Sequence, residues 1–240
     1  MRRVSVRALA GSAIMLAATA SAAQSAPSPT YVYVDSGVLH VACVAGNNNV
    51  VTIKDSGSKV IVQDAIGVRL YNDSCTLTNS KTVTCDRPTN TIVVDLNDGN
   101  DTITTSSSVT TSVYGQEGDD VINGSPYADF LFGDGGNDVV NGNGGNDTLT
   151  GGSGNDVVNG GDGDDRFIYD PEGNDTISGG AGNDVIDDSS GTDTISGGPG
   201  NDTITSQDSA KDVIDCGPGN DSYKVDANDV RTGCETKISS

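Results

Sequence analysis

Between residues 120 and 221 an aspartate returns every nine residues, with two steps of ten. The series is Asp120, Asp129, Asp138, Asp147, Asp156, Asp165, Asp175, Asp184, Asp193, Asp202, Asp212 and Asp221. Two positions after each stands an apolar or aromatic residue: Ile122, Leu131, Val140, Leu149, Val158, Phe167, Ile177, Ile186, Ile195, Ile204, Ile214 and Tyr223. A short period held this long is the mark of a solenoid, in which each repeat buries its apolar face only against its neighbours. The extra residues at the longer steps are Tyr169 and Ser206, and DGNDTIT around Asp101 is a degenerate forerunner.

Each unit has two parts. Its first six residues, as in Gly151-Gly152-Ser153-Gly154-Asn155-Asp156, are rich in glycine and read as a turn. The next three, as in Val157-Val158-Asn159, are strand-tolerant. Side chains of a strand alternate faces, so the aspartate and the aliphatic two residues on both point inward. Two units make one coil with a turn on each side, and unit n stacks on unit n+2. Read separately, the odd and even aspartates step 18, 18, 19, 18 and 19 residues, so the insertions leave both edges in register.

One buried aliphatic per nine ordered residues falls well short of the backbone entropy it must offset. Stacking also brings like-charged carboxylates together. The chain holds 34 Asp+Glu against 13 Lys+Arg, and 29 of the 34 acids lie at or after Asp95. A hard divalent cation would neutralise the rows and add free energy. Calcium suits best, because it accepts six to eight oxygens, carbonyls included, in adaptable geometry. Magnesium keeps its waters, and zinc would want His and Cys, of which there is no suitable cluster.

GGSGNDVVN (151–159), GGAGNDVID (179–187) and GGPGNDTIT (197–205) resemble the repeats-in-toxin nonapeptide of hemolysin-type calcium-binding proteins. The resemblance spans about residues 96–224 and implies an all-β fold, a parallel β-roll in which repeat aspartates and turn carbonyls share calcium. Carried over residue by residue, it implies ligands from Asp120, Asp129, Asp138, Asp147, Asp156, Asp165, Asp175, Asp184, Asp193, Asp202 and Asp221. The implied carbonyl positions are Gly136, Gly145, Gly152, Gly154, Gly161, Gly163, Gly180, Gly182, Gly198 and Gly200. Three units depart from the pattern: Ser125-Pro126-Tyr127-Ala128 precedes Asp129, Asp188-Ser189-Ser190 opens the unit of Asp193, and Ser209-Ala210-Lys211 precedes Asp212. Asp212 is left out of the ligand set. The twelve units allow ten n/n+2 pairs, of which about six to eight are expected to hold an ion.

The remaining segments carry other expectations. Arg2, Arg3 and Arg7 before an apolar run and Ala20-Ser21-Ala22 read as a cleaved signal peptide over 1–22. Its removal would leave a charge of −24, which disfavours nucleic acid and anionic membranes. Secretion permits disulfides, and the close pairs are Cys75/Cys85 and Cys216/Cys234, leaving Cys43 free, buried or paired between molecules. Residues 23–95 read as a β-strand cap, a meander or sandwich over the first coil, and 225–240 as a stapled terminal cap. That segment has no H-E-x-x-H and no G-x-S-x-G, and its one histidine, His40, sits in an alternating strand, so no enzyme is expected. The expected role is structural or surface-associated calcium binding without membrane insertion. The alternative is an adhesin whose roll displays a face to a cell-surface or glycan partner.

Overall fold

The structure, a computed structural model, describes residues 29–70, 75–88, 91–170 and 172–238. The expected signal segment 1–22 and the start of the expected cap lie outside the described residues. The described residues form 24 strands and no helix, hence none long and apolar enough to cross a membrane. Seven strands come first: β1 (Thr30–Asp35), β2 (Val38–Ala42), β3 (Val50–Ser56), β4 (Lys59–Asp64), β5 (Val68–Leu70), β6 (Cys75–Asn79) and β7 (Thr82–Asp86). The coils follow: β8 (Ile92–Asp95), β9 (Thr102–Ser106), β10 (Thr111–Glu117), β11 (Val121–Asn123), β12 (Phe130–Gly135), β13 (Val139–Gly144), β14 (Thr148–Ser153) and β15 (Val157–Asp162). They continue with β16 (Arg166–Asp170), β17 (Thr176–Ala181), β18 (Val185–Asp188), β19 (Thr194–Ser196), β20 (Thr203–Ser206), β21 (Val213–Asp215), β22 (Ser222–Val225), β23 (Val230–Thr232) and β24 (Thr236–Lys237).

From β8 onward, even strands stack into one parallel wall and odd strands into the other. The pairing follows the expected n/n+2 rule. Leu131 lies beside Leu149, Leu149 beside Phe167 and Phe167 beside Ile186, while Val140 lies beside Val158 and Val158 beside Ile177. The residue inserted near Tyr169 is absorbed as a register shift between Phe167 and Asp170 in the β16/β18 pair. Along β13 the burial alternates as the period requires. Asp138 and Val140 are buried, with Val139 between them half-exposed.

The strands are longer than the three residues expected. β12 to β15 and β17 run six residues, because pairing continues into the glycine turn, where Asp134 lies beside Gly152 and Asn143 beside Gly161. Later strands shrink to three or four residues. Pro199 and Pro218 enter those turns, and proline has no N–H to pair.

The strands of residues 30–86 include four antiparallel pairs, β1/β2, β3/β4, β4/β7 and β6/β7. They do not close into a sandwich of their own. β2 pairs in parallel with β8, and β3 with β9, so each wall simply continues to twelve strands. One apolar core runs from Val32 through the aliphatic rows to Val225. Cys75–Cys85 and Cys216–Cys234 are disulfides, and Cys43 is free and buried.

Candidate metal rows of the roll

The repeat aspartates line the two turn edges in two rows, buried at 0 to 2 % exposure. One rule builds both. In the first row the Asp120 N–H donates to Asp138 Oδ1 at 2.7 Å, Asp138 N–H to Asp156 Oδ1 at 2.7 Å and Asp156 N–H to Asp175 Oδ1 at 2.8 Å. The second row repeats it through Asp129, Asp147, Asp165, Asp184, Asp202 and Asp221 at 2.8 Å each. One carboxylate oxygen therefore satisfies a main-chain donor of the preceding coil, which a stacked turn would otherwise leave orphaned.

The other oxygen has no such partner. Oδ2 of Asp101, Asp120, Asp138, Asp147, Asp156, Asp165, Asp184, Asp202 and Asp221 is buried without a hydrogen bond. Native proteins rarely leave buried carboxylate oxygens so, and a regular series of them points to a ligand. Electrostatics agrees. Burial pushes Asp120, Asp147 and Asp184 up to about 7 and Asp101, Asp138 and Asp202 up to about 6, although the N–H on Oδ1 pulls the other way. Neighbouring aspartates raise these groups further. The ion pairs Lys59–Asp86 and Arg87–Asp55 lie away from the rows.

The turns leave no space for anything but glycine at the close approaches. A Cβ on Gly154 would fall 1.6 Å from the Gly136 carbonyl oxygen, and φ there is +142°. Gly161, in the left-handed region at +111°, would place one 2.2 Å from the Asn143 oxygen. Carbonyls of successive coils thus stack beside the carboxylate rows. Buried carboxylate oxygens and glycine carbonyls are the hard, flexible donor set that suits calcium. Bound there, the ion would supply positive charge to the rows, through the aspartate Oδ2 atoms and the turn carbonyls.

The departing units behave differently. Asp129 Oδ2 accepts from Ser125 N–H at 2.7 Å, and Asp212 Oδ2 accepts from Ser206 Oγ at 2.5 Å. Protein groups there take the oxygen that the other units leave open. The resemblance placed Asp129 in the ligand set, and its two oxygens already have donors, Thr111 N–H and Ser125 N–H. The rows also reach beyond the twelve units. Asp101 receives Asn49 N–H, Asp212 N–H donates to Asp229, and Asp221 N–H to Glu235. Asp229 escaped the sequence reading; Asn228-Asp229 keeps the Asn-Asp pair, but the glycines are gone and Arg231 stands where the inward aliphatic would be. A second ladder was also missed, formed by the residue before each aspartate. Asn155 N–H donates to Asn137 Oδ1 at 3.0 Å and Asn174 N–H to Asn155 Oδ1 at 2.9 Å, all on the exposed rim.

His40 stacks on Tyr33 with ring centroids 4.7 Å apart and faces outward, whereas Cys43 faces the core with its thiol pushed up by burial. Neither joins the rows.

Parallel coils, glycine turns and paired rows of half-bonded buried aspartates define a calcium-binding β-roll. The family model of the RTX calcium-binding nonapeptide repeat (four copies) matches residues 114–149, 141–170 and 172–204. Over these residues the chain carries RTX-type calcium-binding repeats. No match to it was found among curated proteins.

Proposed function

We propose that the protein is a secreted, non-enzymatic calcium-binding module whose roll folds as it binds calcium, in a structural or surface-associated role. The observation that carries this reading is the series of buried, unbonded Oδ2 atoms in both rows. Without a cation the rows would bury mutually repelling charge, and the aliphatic core is too thin to offset that cost. Inside a cell, where calcium is scarce, the repeats stay unfolded and fit for export. Outside, millimolar calcium fills weak sites, and binding free energy becomes folding free energy. About six to eight ions are expected. The test is far-UV circular dichroism of the mature chain, titrated with calcium after chelation, with magnesium as control. A cooperative gain of β-structure with calcium alone supports the reading. A folded spectrum in chelator, unchanged by calcium, overturns it.

One observation favours a second reading, that of an adhesin. Tyr114 stacks on Phe132 with centroids 5.2 Å apart, and Tyr114 and Phe130, the latter on the strand of Phe132, stand exposed. Exposed aromatics grouped this way suit partner binding. Binding to cells or glycans that is lost on chelation and on Tyr114→Ala would support it.

A further inference from the structure

In the consensus turn the first residue is glycine for a spatial reason. A Cβ at Gly133, Gly142, Gly160 or Gly179 would lie 2.2 to 2.4 Å from Oδ2 of the aspartate five residues on. Any side chain at this position must therefore enter the space into which Oδ2 points. On the edge that carries Asp193 and Asp212, the column leaves glycine at Asp170 and continues with Asp188 and Ser206, which pair in turn across β16, β18 and β20. Ser206 fills the space with a hydroxyl that bonds Asp212 Oδ2 at 2.5 Å. Its one proton is thereby used. Asp188 fills it with a second carboxylate.

Asp188 is 2 % exposed, with no hydrogen bond of ordinary geometry on either oxygen and the Ser206 hydroxyl and Asp193 carboxylate beside it. Asp175, Asp188 and Asp193 each offer a carboxylate oxygen within 4.8 Å of the others, and all three are buried. Among the described residues no Lys, Arg or His forms an ion pair with Asp188 or Asp193. Three carboxylates this close, out of water, cannot all carry charge without a cation between them. Calcium affinity rises with the number of charged ligands.

We propose that Asp188 adds a third carboxylate to Asp175 and Asp193, making the tightest calcium site of the roll and the first to fill. The position departs from the repeat consensus in a direction that strengthens metal binding, whereas Ser206, one coil further, replaces the metal. This rests on the calcium reading of the rows, and the test separates the two. Calcium binding to the full chain is measured by competition against a chromophoric chelator and by calorimetry, for the wild type, Asp188→Gly, Asp188→Asn and Asp188→Ser.

The wild type should show one ion bound at least about tenfold more tightly than the rest. Asp188→Gly and Asp188→Asn should remove that tight step and leave the weaker class in place. Asp188→Ser should lower the stoichiometry by one ion. Asp188→Asn keeps the side-chain shape, so it decides the matter if the glycine variant fails to fold in saturating calcium. A first ion bound equally tightly by Asp188→Asn and the wild type overturns the proposal alone. No calcium bound by the wild type overturns the reading of the rows as well.

Discussion

The strands of residues 30–86 and the coils after Thr102 share one apolar core, yet they treat buried charge in opposite ways. Asp64, in the first region, is as buried as any repeat aspartate at 1 % exposure. Its Oδ2 takes Thr30 Oγ1 at 2.6 Å and its Oδ1 takes Ile66 N–H at 3.1 Å. Both described ion pairs lie in or beside this region. Antiparallel hairpins there bring β-branched residues together and leave no row of like charges. Apart from the departing units of Asp129 and Asp212, the roll sets beside each buried apolar residue a carboxylate with an oxygen that no protein donor reaches. The first region satisfies its buried carboxylate with protein donors; the second leaves one carboxylate oxygen open in most of its units. The same two walls therefore carry buried charge closed by protein at one end and left open at the other.

The largest expected effect follows directly. In chelator, amide hydrogen exchange on the full chain should become fast across β11 to β22, while β1 to β4 and β7 stay protected. Equal protection of both regions in chelator would erase the contrast. Acid should act next. The row carboxylates are raised by burial from 3.8 to between about 6 and 7 in the folded roll. The folded state then binds more protons than the unfolded one between those limits, so its stability is full below about pH 4 and is lost as pH rises through 6 to 7. In chelator, β-structure in the roll should thus appear on acidification from pH 7.5 to 4.5. With calcium present the order reverses, because protons compete with the ion. Circular dichroism at the two pH values checks both signs.

A glycine pair sharpens the comparison further. Gly154→Ala meets the Gly136 carbonyl and should cost about 3 kcal/mol or more in calcium. Gly57→Ala, in the β3–β4 turn at φ +64° with nothing within 4 Å of the new methyl, should cost about 1 kcal/mol. Denaturant unfolding of each variant measures the difference. Smallest and most local is the loss of a staple. Replacing Cys216 and Cys234 by serine should cost roughly 2–3 kcal/mol, felt in the last coils alone. Exchange in β1 to β4 should not change.

The roll was legible because its constraint is periodic. A nine-residue repeat of aspartate and aliphatic sets the coil, the register and the inward face at once, and even the insertion at Tyr169 announced itself. The first region has no period. Its hairpins are placed by turns such as Ser36-Gly37 and Ser56-Gly57, and nothing local says that β2 and β3 continue the walls of the roll. At the site, the two rows of buried aspartates followed from spacing, but the exceptions did not. Ser125 and Ser206 close an oxygen through contacts that depend on which column a residue enters, and Asp188 looked like a degraded turn. Asp229 was hidden because its step from Asp212 is 17 residues.

The two residues of each Asn-Asp pair reach along the stack in opposite senses. The aspartate accepts from the coil before it, as Asp156 does from Asp138, and the asparagine accepts from the coil after it, as Asn155 does from Asn174. Every interior coil both lends to and borrows from each neighbour. Opening the middle of the array breaks two such exchanges, whereas peeling an end breaks one. The roll should therefore melt as a zipper does, from its ends inward, with Asn49 closing one end and Asp229 and Glu235 the other.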